Sequence, residues 1–575
     1  MLRGIAFILV FVSLSAVSQN LDKIGKEDMV TVSGGVNSNI IFNQAINQEQ
    51  FRDPFSWVVS GNLTVNIADV SLPFTFSYSN TGKSYTQPFN MTALHPTYKN
   101  WKAHIGITSM NFSQYTYQGM NFTGAGLEYT PKKWSVKAFG GRLKKAIEYD
   151  EEFNNINTVS YSRMGFGFGT EYKGKTWGTE LLLLKAYDDA TSLLFYHNNP
   201  ELTAKDNIVA SLKGNVSLLK SLKLKGEIAS SVLTRNILAN EAMSNVSPMY
   251  QTMVQGNNTT IVRKAYNGSI DYRYKTFGIG LKYERVDPEY STLGAVYFNN
   301  DLENITVNPS FSLFKNKVNL NVSTGYQRNN LDDLNASESK RWIGSASLSA
   351  QLIKGMNLNA SYSNMSSFSR RNPAADPFYN SFADTLNYYQ TSESISTSVS
   401  YAFGKETKQS INLTGAYSKS ENITGRLDDA AAFGFNVNTD ASDAPVDVYN
   451  GVLSHNIQLA KQGMTIGWMA NANHTIVMGM TNTFFGPGLN VSKSLKEKKM
   501  SVNLGTNYNQ QYTQEILMNH VMNLRMGLRY NPKFKNEKLG SLSMSMNGNW
   551  TNKFAVAATE NTQMITVIAN IGYQF

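Results

Sequence analysis

The chain has 575 residues, a formal net charge of +10, 16% charged and 12% aromatic residues, 42 glycines and no cysteine. Without cysteine there are no disulfides, thiolate metal sites or lipidated amino-terminal Cys, and past the first 17 residues no apolar run is long enough for a membrane helix. A mean hydropathy of −0.31 in an aromatic-rich chain fits an all-β protein whose lipid-facing residues are diluted by alternation.

The chain opens as a signal peptide, residues 1–18. Met1 to Arg3 form a basic start, Ile5 to Val12 an apolar core, and Ala16-Val17-Ser18 a small-residue cleavage signal before Gln19. Residues 19–29 read as a short periplasmic tail, and 30–575 as the barrel. Val30 to Phe42 and Phe55 to Ala68 are the first strands, the second alternating Leu63, Val65 and Ile67 with Asn62, Thr64 and Asn66. Ser71 to Ser79 follows. Thr81 to Met120, rich in Asn, Tyr and Met, reads as a long extracellular loop or luminal insert, with two additional strands as the rival reading because His104 to Met110 has strand character.

From Asn121 the pattern is strand, short turn, strand, long loop. Lysine marks most turns, as at Lys173-Gly174-Lys175, Lys275-Thr276, Lys315-Asn316-Lys317 and Lys496-Glu497-Lys498. About eleven short turns give roughly 24 antiparallel strands in an up-and-down transmembrane β-barrel, short turns and both termini periplasmic. Late strands alternate most cleanly, as in Ile395, Thr397, Val399 and Tyr401 against Ser394, Ser396, Ser398 and Ser400. The chain ends in an amphipathic strand, Ile565 to Phe575, in which only Ile568 breaks the rhythm; it is expected to close the barrel against Val30 to Phe42.

Alternation also places charge. If the neighbouring apolar residues face lipid, then Arg163, Glu171, Lys223, Lys225, Glu227, Asp271, Arg273, Lys282, Glu284, Arg525 and Arg529 face the lumen. A base at mid-membrane on the lipid face costs about 2–4 kcal/mol. These residues form a luminal constriction or, structurally, salt bridges and docking points for an inserted loop. With both signs present, charge selectivity is expected to be weak. Trp134, Trp177, Tyr187, Trp342 and Trp550 suit interfacial aromatic girdles. Turn lysines suit anionic headgroups.

Other motifs fall away. Gly82-Lys83-Ser84 lacks the upstream glycine of a phosphate loop. Gly165-Phe166-Gly167-Phe168-Gly169 has no following helix, so its glycines relieve curvature or make room for luminal contents. Asp287, Glu289, Asp301 and Glu303 match no calcium loop and read as an acidic turn. The six histidines show no metal-like local spacing, no catalytic constellation is visible, and no cofactor or nucleic-acid partner is expected.

The leader, the hairpin series and the terminal Tyr573-Gln574-Phe575 resemble large outer-membrane β-barrels of Gram-negative bacteria, in style those of the Bacteroidota. In that family the aromatic end, Tyr573 and Phe575, is the signal read by the barrel-assembly machinery. The resemblance implies contact with outer-membrane lipid and lipopolysaccharide; because a lone large barrel would leak, an inserted loop or a partner plug or lid protein is expected. TonB-dependent receptors carry a large amino-terminal plug, for which strands starting near Val30 leave no room; soluble usher domains meet the same objection. The functional expectation is a non-enzymatic channel or transporter for polar solutes. The alternative is a conduit in a secretion or surface-attachment complex, and the third reading an outer-membrane hydrolase.

Overall fold

The computed structural model describes residues 30–50, 52–80, 90–149, 159–193, 202–239, 247, 253–296, 300–329, 331–332, 340–364, 367–369, 389–420, 446–477, 479–495, 499–532, 534, 540–556 and 560–575. The expected signal peptide and tail lie outside them. Among the described residues the chain folds into a closed antiparallel barrel of 26 strands with almost no helix. Each strand pairs with the next in sequence, from Val30–Ile46 with Phe55–Ile67 onward.

The last strand, Thr562–Gln574, pairs with the first along Gly35↔Gln574 to Ile46↔Gln563. Phe575 extends that ladder: its N–H donates to the Gly34 carbonyl and its carbonyl accepts from the Gly34 N–H, both at 2.9 Å. Closure matters because lipid offers no partner to an unpaired backbone group. Ile568, the break in the terminal alternation, faces the lumen opposite Ile41, which is buried.

Of the stretch from 81 to 120, the described residues 90–120 hold two additional rungs followed by an inward loop, and the strand number is 26 where about 24 was expected. Met91–Leu94 and Thr97–Tyr98 form one interrupted rung, and Trp101–Thr108 the next. The interruption falls at His95-Pro96, where proline has no N–H to give to a ladder. Lys99-Asn100 is therefore a further tight turn, with Lys99 at φ 51°, the left-handed geometry hairpin turns require. Gly106 on the following strand has φ +104° and lies where a Cβ would meet the Thr92 carbonyl oxygen at 2.2 Å, so only glycine fits.

The outer face carries the apolar set, with Leu181, Ile228, Leu413, Leu504 and Met526 all exposed. Aromatic rings gather at the short-turn rim: Trp101 stacks on Tyr129 at 4.3 Å, and Tyr172 lies between Trp134 and Trp177 at 5.0 and 4.9 Å. Trp342, near the opposite rim, is 72% exposed. Amphipathic aromatics at two levels bracket an apolar band as in membrane barrels.

In detergent the protein should give a β-dominated circular dichroism spectrum and migrate faster on gels when unheated. Phe575→Ser, which removes a rim aromatic stacked on Tyr573, should lower the yield of the fast-migrating form several-fold; an unchanged yield would make Phe575 an ordinary strand end.

Candidate functional site: the lumen and its inward loop

The lumen has two unlike walls. On the strands from Phe122–Tyr129 to Leu302–Leu313, many inward positions are apolar and buried, including Phe122, Phe139, Leu143, Leu182, Leu184 and Val209. They are covered from inside by residues 109–121, which follow the strand Trp101–Thr108. Met110, Phe112, Tyr117 and Met120 join those wall residues in one cluster; Tyr115 joins Ala229, Ala265, Val286 and Tyr290 in a second. Burying each large side chain contributes about 1.5–3 kcal/mol, enough to hold a short loop inside the barrel.

Polar contacts fix the path of this inward loop. Lys137 Nζ donates to the Asn111 carbonyl at 2.7 Å, and Lys213 Nζ to the Phe112 carbonyl at 3.1 Å. The Ser113 hydroxyl donates to Glu227, which also accepts from Ser211 at 2.6 Å. Gln114 and the Tyr115 hydroxyl donate to Glu284 at 3.1 and 2.8 Å. These anchors belong to one cross-strand row, running Glu171↔Glu180↔Lys213↔Glu227↔Asn267↔Glu284, with Lys137 joined to it through Glu180. Successive residues of the loop thus meet successive strands of the wall. Burial of the Tyr115 hydroxyl and then the nearby Glu284 charge push its pKa well up, so it stays a neutral donor at any physiological pH.

A second loop locks the first. Tyr290 donates to the Tyr115 carbonyl at 2.7 Å, Thr292 to the Thr116 carbonyl at 2.5 Å, and Gly294–Ala295 pairs in parallel with Tyr117–Gln118. Its outer end is clamped by Glu289, which receives Arg235 at 2.5 Å and Arg263 at 2.8 Å. Hydrogen bonds from Arg235 and then Arg263 hold the Glu289 carboxyl below its ordinary 4.5. A depressed carboxylate stabilises the fold at pH above its unfolded value.

The sequence-selected charges are spread along the barrel. Arg163 lies near the long-loop rim, paired with Asp188 at 2.7 and 3.0 Å; Glu171, eight residues down the same strand, pairs with Lys173 at 3.0 Å at the short-turn rim. Lys223 and Asp271 face each other in register, Lys225 faces Ser269, and Asp271 accepts from the Ser269 hydroxyl at 3.2 Å. Arg273 lies beside Gly278, and Lys282 pairs with Glu284 at 2.9 Å. Arg525 and Arg529 lie apart from all of these, on the opposite wall. Asp287, Glu289 and Glu303 are each engaged by arginine, while Asp301 accepts from the Leu331 N–H.

Two features escaped the sequence reading, and a third is one of its two alternatives. Glu180, Lys213 and Lys137 form a bridged trio at 2.8 and 3.1 Å; the run Leu181-Leu182-Leu183-Leu184 beside Glu180 was the available signal, since a strand apolar on both faces must be covered on both. Of the two roles expected for the glycines between Gly165 and Gly169, the packing shows room for luminal contents: a Cβ at Gly167 would stand 2.2 Å from the Phe139 ring and 3.0 Å from Phe112. Finally, His95 and His104, nine residues apart, meet Nδ1 to Nδ1 at 3.1 Å around the broken rung, with Glu128 on the far nitrogen of His104 at 3.0 Å. Among the described residues no group of three or more His, Asp or Glu converges as a metal-ligand set.

No family model matches the sequence, and no curated protein does. Solved structures match at low identity. The translocation pore of the P pilus usher, PapC, is 12% identical, covering 94% of this chain and 98% of its own, with a TM-score of 0.35. A mutant ferric enterobactin receptor, PfeA, from Pseudomonas aeruginosa is 11% identical, covering 94% of this chain and 80% of its own, at 0.39. A porin is 13% identical, covering 55% of this chain and 99% of its own, at 0.26. The chain's own architecture is a large closed antiparallel β-barrel. Nothing finer follows at these identities.

Gly167→Val should displace Phe139 and Phe112 and destabilise the barrel by about 1–3 kcal/mol, as overpacking does; Gly415→Ala, with open space around it, should be near neutral in the same heat-modifiability melt. The protection of amides 287–296 relative to their intrinsic exchange rates should stay high at neutral pH and drop only as pH falls through the lowered Glu289 value; a drop already near neutrality would show that the clamp does not hold the loop.

Proposed function

We propose that this chain is an outer-membrane channel for polar solutes, with short turns and both termini on the periplasmic side. The observation that carries the reading is the asymmetry of the lumen. One wall is occupied by the inward loop. The other, from Met356–Ser363 through the closing strand to Val70–Ser79, turns Ser, Asn and Thr inward, as at Ser396, Ser398, Asn412, Thr414, Asn456 and Asn503, opposite lipid-facing Ile395, Leu413 and Leu504. A hydroxyl- and amide-lined path offers donors and acceptors to a hydrated solute, while the loop narrows a barrel of this size.

In this reading Glu227, Glu284, Lys282 and Arg163 serve the loop and its wall, and Arg525 and Arg529 face the conducting side. The outer band meets membrane lipid and lipopolysaccharide, and Tyr573 and Phe575 are the end read by the barrel-assembly machinery.

Planar-bilayer recording of the purified protein tests this. The wild type should conduct, and removal of residues 110–118 should raise its conductance several-fold. A wild type that stays closed until a copurifying protein is stripped away would instead favour a conduit in a secretion or surface-attachment complex.

A further inference from the structure

The charge of the conducting side is one-signed. On the strands from Met356–Ser363 round to Val70–Ser79, the charged side chains at inward positions are Lys408, Arg525, Arg529 and Lys553 among the described residues, with no acid between them. Their inward direction follows from the exposed lipid-facing neighbours Leu413, Leu524, Met526 and Met546. None of the four side chains has an ion pair or hydrogen bond among the described residues. The inward acids lie across the lumen and are engaged there: Glu180 sits between Lys137 and Lys213, and Glu284 holds Lys282. Formal charge counts over the whole lumen therefore mislead. The compensated half carries both signs, and the open half carries a positive field.

Three of these bases form a regular descent. Arg525 pairs in register with Asn549 and Arg529 with Ser545, while Lys553 stands four residues beyond Asn549 on that same strand. Each step is four residues, or about 13 Å along a strand. Midway along a step an anion is about 6–7 Å from each base, inside the screening length of about 8 Å at physiological salt, so it is handed from one base to the next. Between the steps lie amides. Arg529 shares a cavity with Asn37, Asn39, Asn503 and Asn570, and Arg525 one with Asn456, Asn490, Asn507 and Asn549. A guanidinium fork matches a phosphate or carboxylate, and neighbouring amides match hydroxyls in either direction.

Building on the channel reading, we infer that Lys553, Arg525 and Arg529 form a ladder that selects anionic, hydroxyl-rich solutes such as phosphorylated or carboxylated sugars. This replaces the weak charge selectivity expected from the mixture of signs in sequence.

The test is the reversal potential of the reconstituted protein in a KCl gradient, followed by addition of a glucose phosphate or glucose to the bath. The wild type should prefer chloride to potassium several-fold. Glucose phosphate should reduce the current at about tenfold lower concentration than glucose, the difference one charge-assisted pair supplies. The double variant Arg525→Gln, Arg529→Gln, checked for heat-modifiable migration, should lose both preferences. A conducting wild type without anion preference, or a folded double variant that keeps it, would overturn the ladder while leaving the channel standing. If the wild type does not conduct at all, the channel reading fails. Calorimetric titration of the detergent-solubilised protein with glucose phosphate then decides the ladder alone, since binding lost in the double variant supports it and equal or absent binding in both proteins removes it.

Discussion

Every other feature of this protein depends on the closure of its backbone hydrogen-bond ladder. Inside a bilayer an unpaired N–H or C=O has no water to turn to, so a sheet must return to its own first strand. Here the return is made by Thr562–Gln574 against Val30–Ile46, extended by the reciprocal bonds between Phe575 and Gly34. Closure forces alternation on every strand, because one face then belongs to lipid and the other to the lumen. It also makes each inward position a member of a cross-strand row, and such a row is the scaffold on which the inward loop is laid.

The loop shows how a barrel acquires a core. An up-and-down meander supplies no interior packing beyond its own side chains, and a lumen of 26 strands is too wide for them to fill. The chain answers by sending residues 109–121 and the loop carrying Tyr290 back onto one wall, where Phe139, Leu182 and Leu184 await them. Glycines on the strand Ser162–Lys173 give the aromatic rings room. Charged groups on that wall turn to the loop's carbonyls and hydroxyls, so burial of a charge is matched by hydrogen bonds. The other wall keeps its amides and unpaired bases facing open space. A packed surface and an open polar surface are thereby separated around one circumference.

Much of the architecture is legible without coordinates. Period-two patterning places Ser394, Ser396 and Ser398 inside and Ile395, Thr397 and Val399 outside, because a strand has only two faces. Lysine-marked turns fix most of the hairpins for a similarly local reason. The short rungs between Met91 and Thr108 were harder to assign, since His95-Pro96 interrupts one of them and hides its period. Inward direction is read from the same local alternation. A charge's partner is another matter.

The sequence by itself determined the class and the approximate strand number, and it set out the two faces of the cleanly alternating strands, since these follow from backbone geometry over a few residues. Only the tertiary structure decided which inward charges are spent on the loop and which stay free. Ser113 and Glu227 are 114 residues apart and Gln114 and Glu284 are 170 apart, and no local pattern encodes contacts of that range. Still longer stretches of sequence separate Arg525 from Glu180, Glu227 and Glu284, the acids that by composition alone would have cancelled it. Around the curve of a large barrel, which residues meet is set by register summed over many strands, and that sum exists only once the ladder has closed.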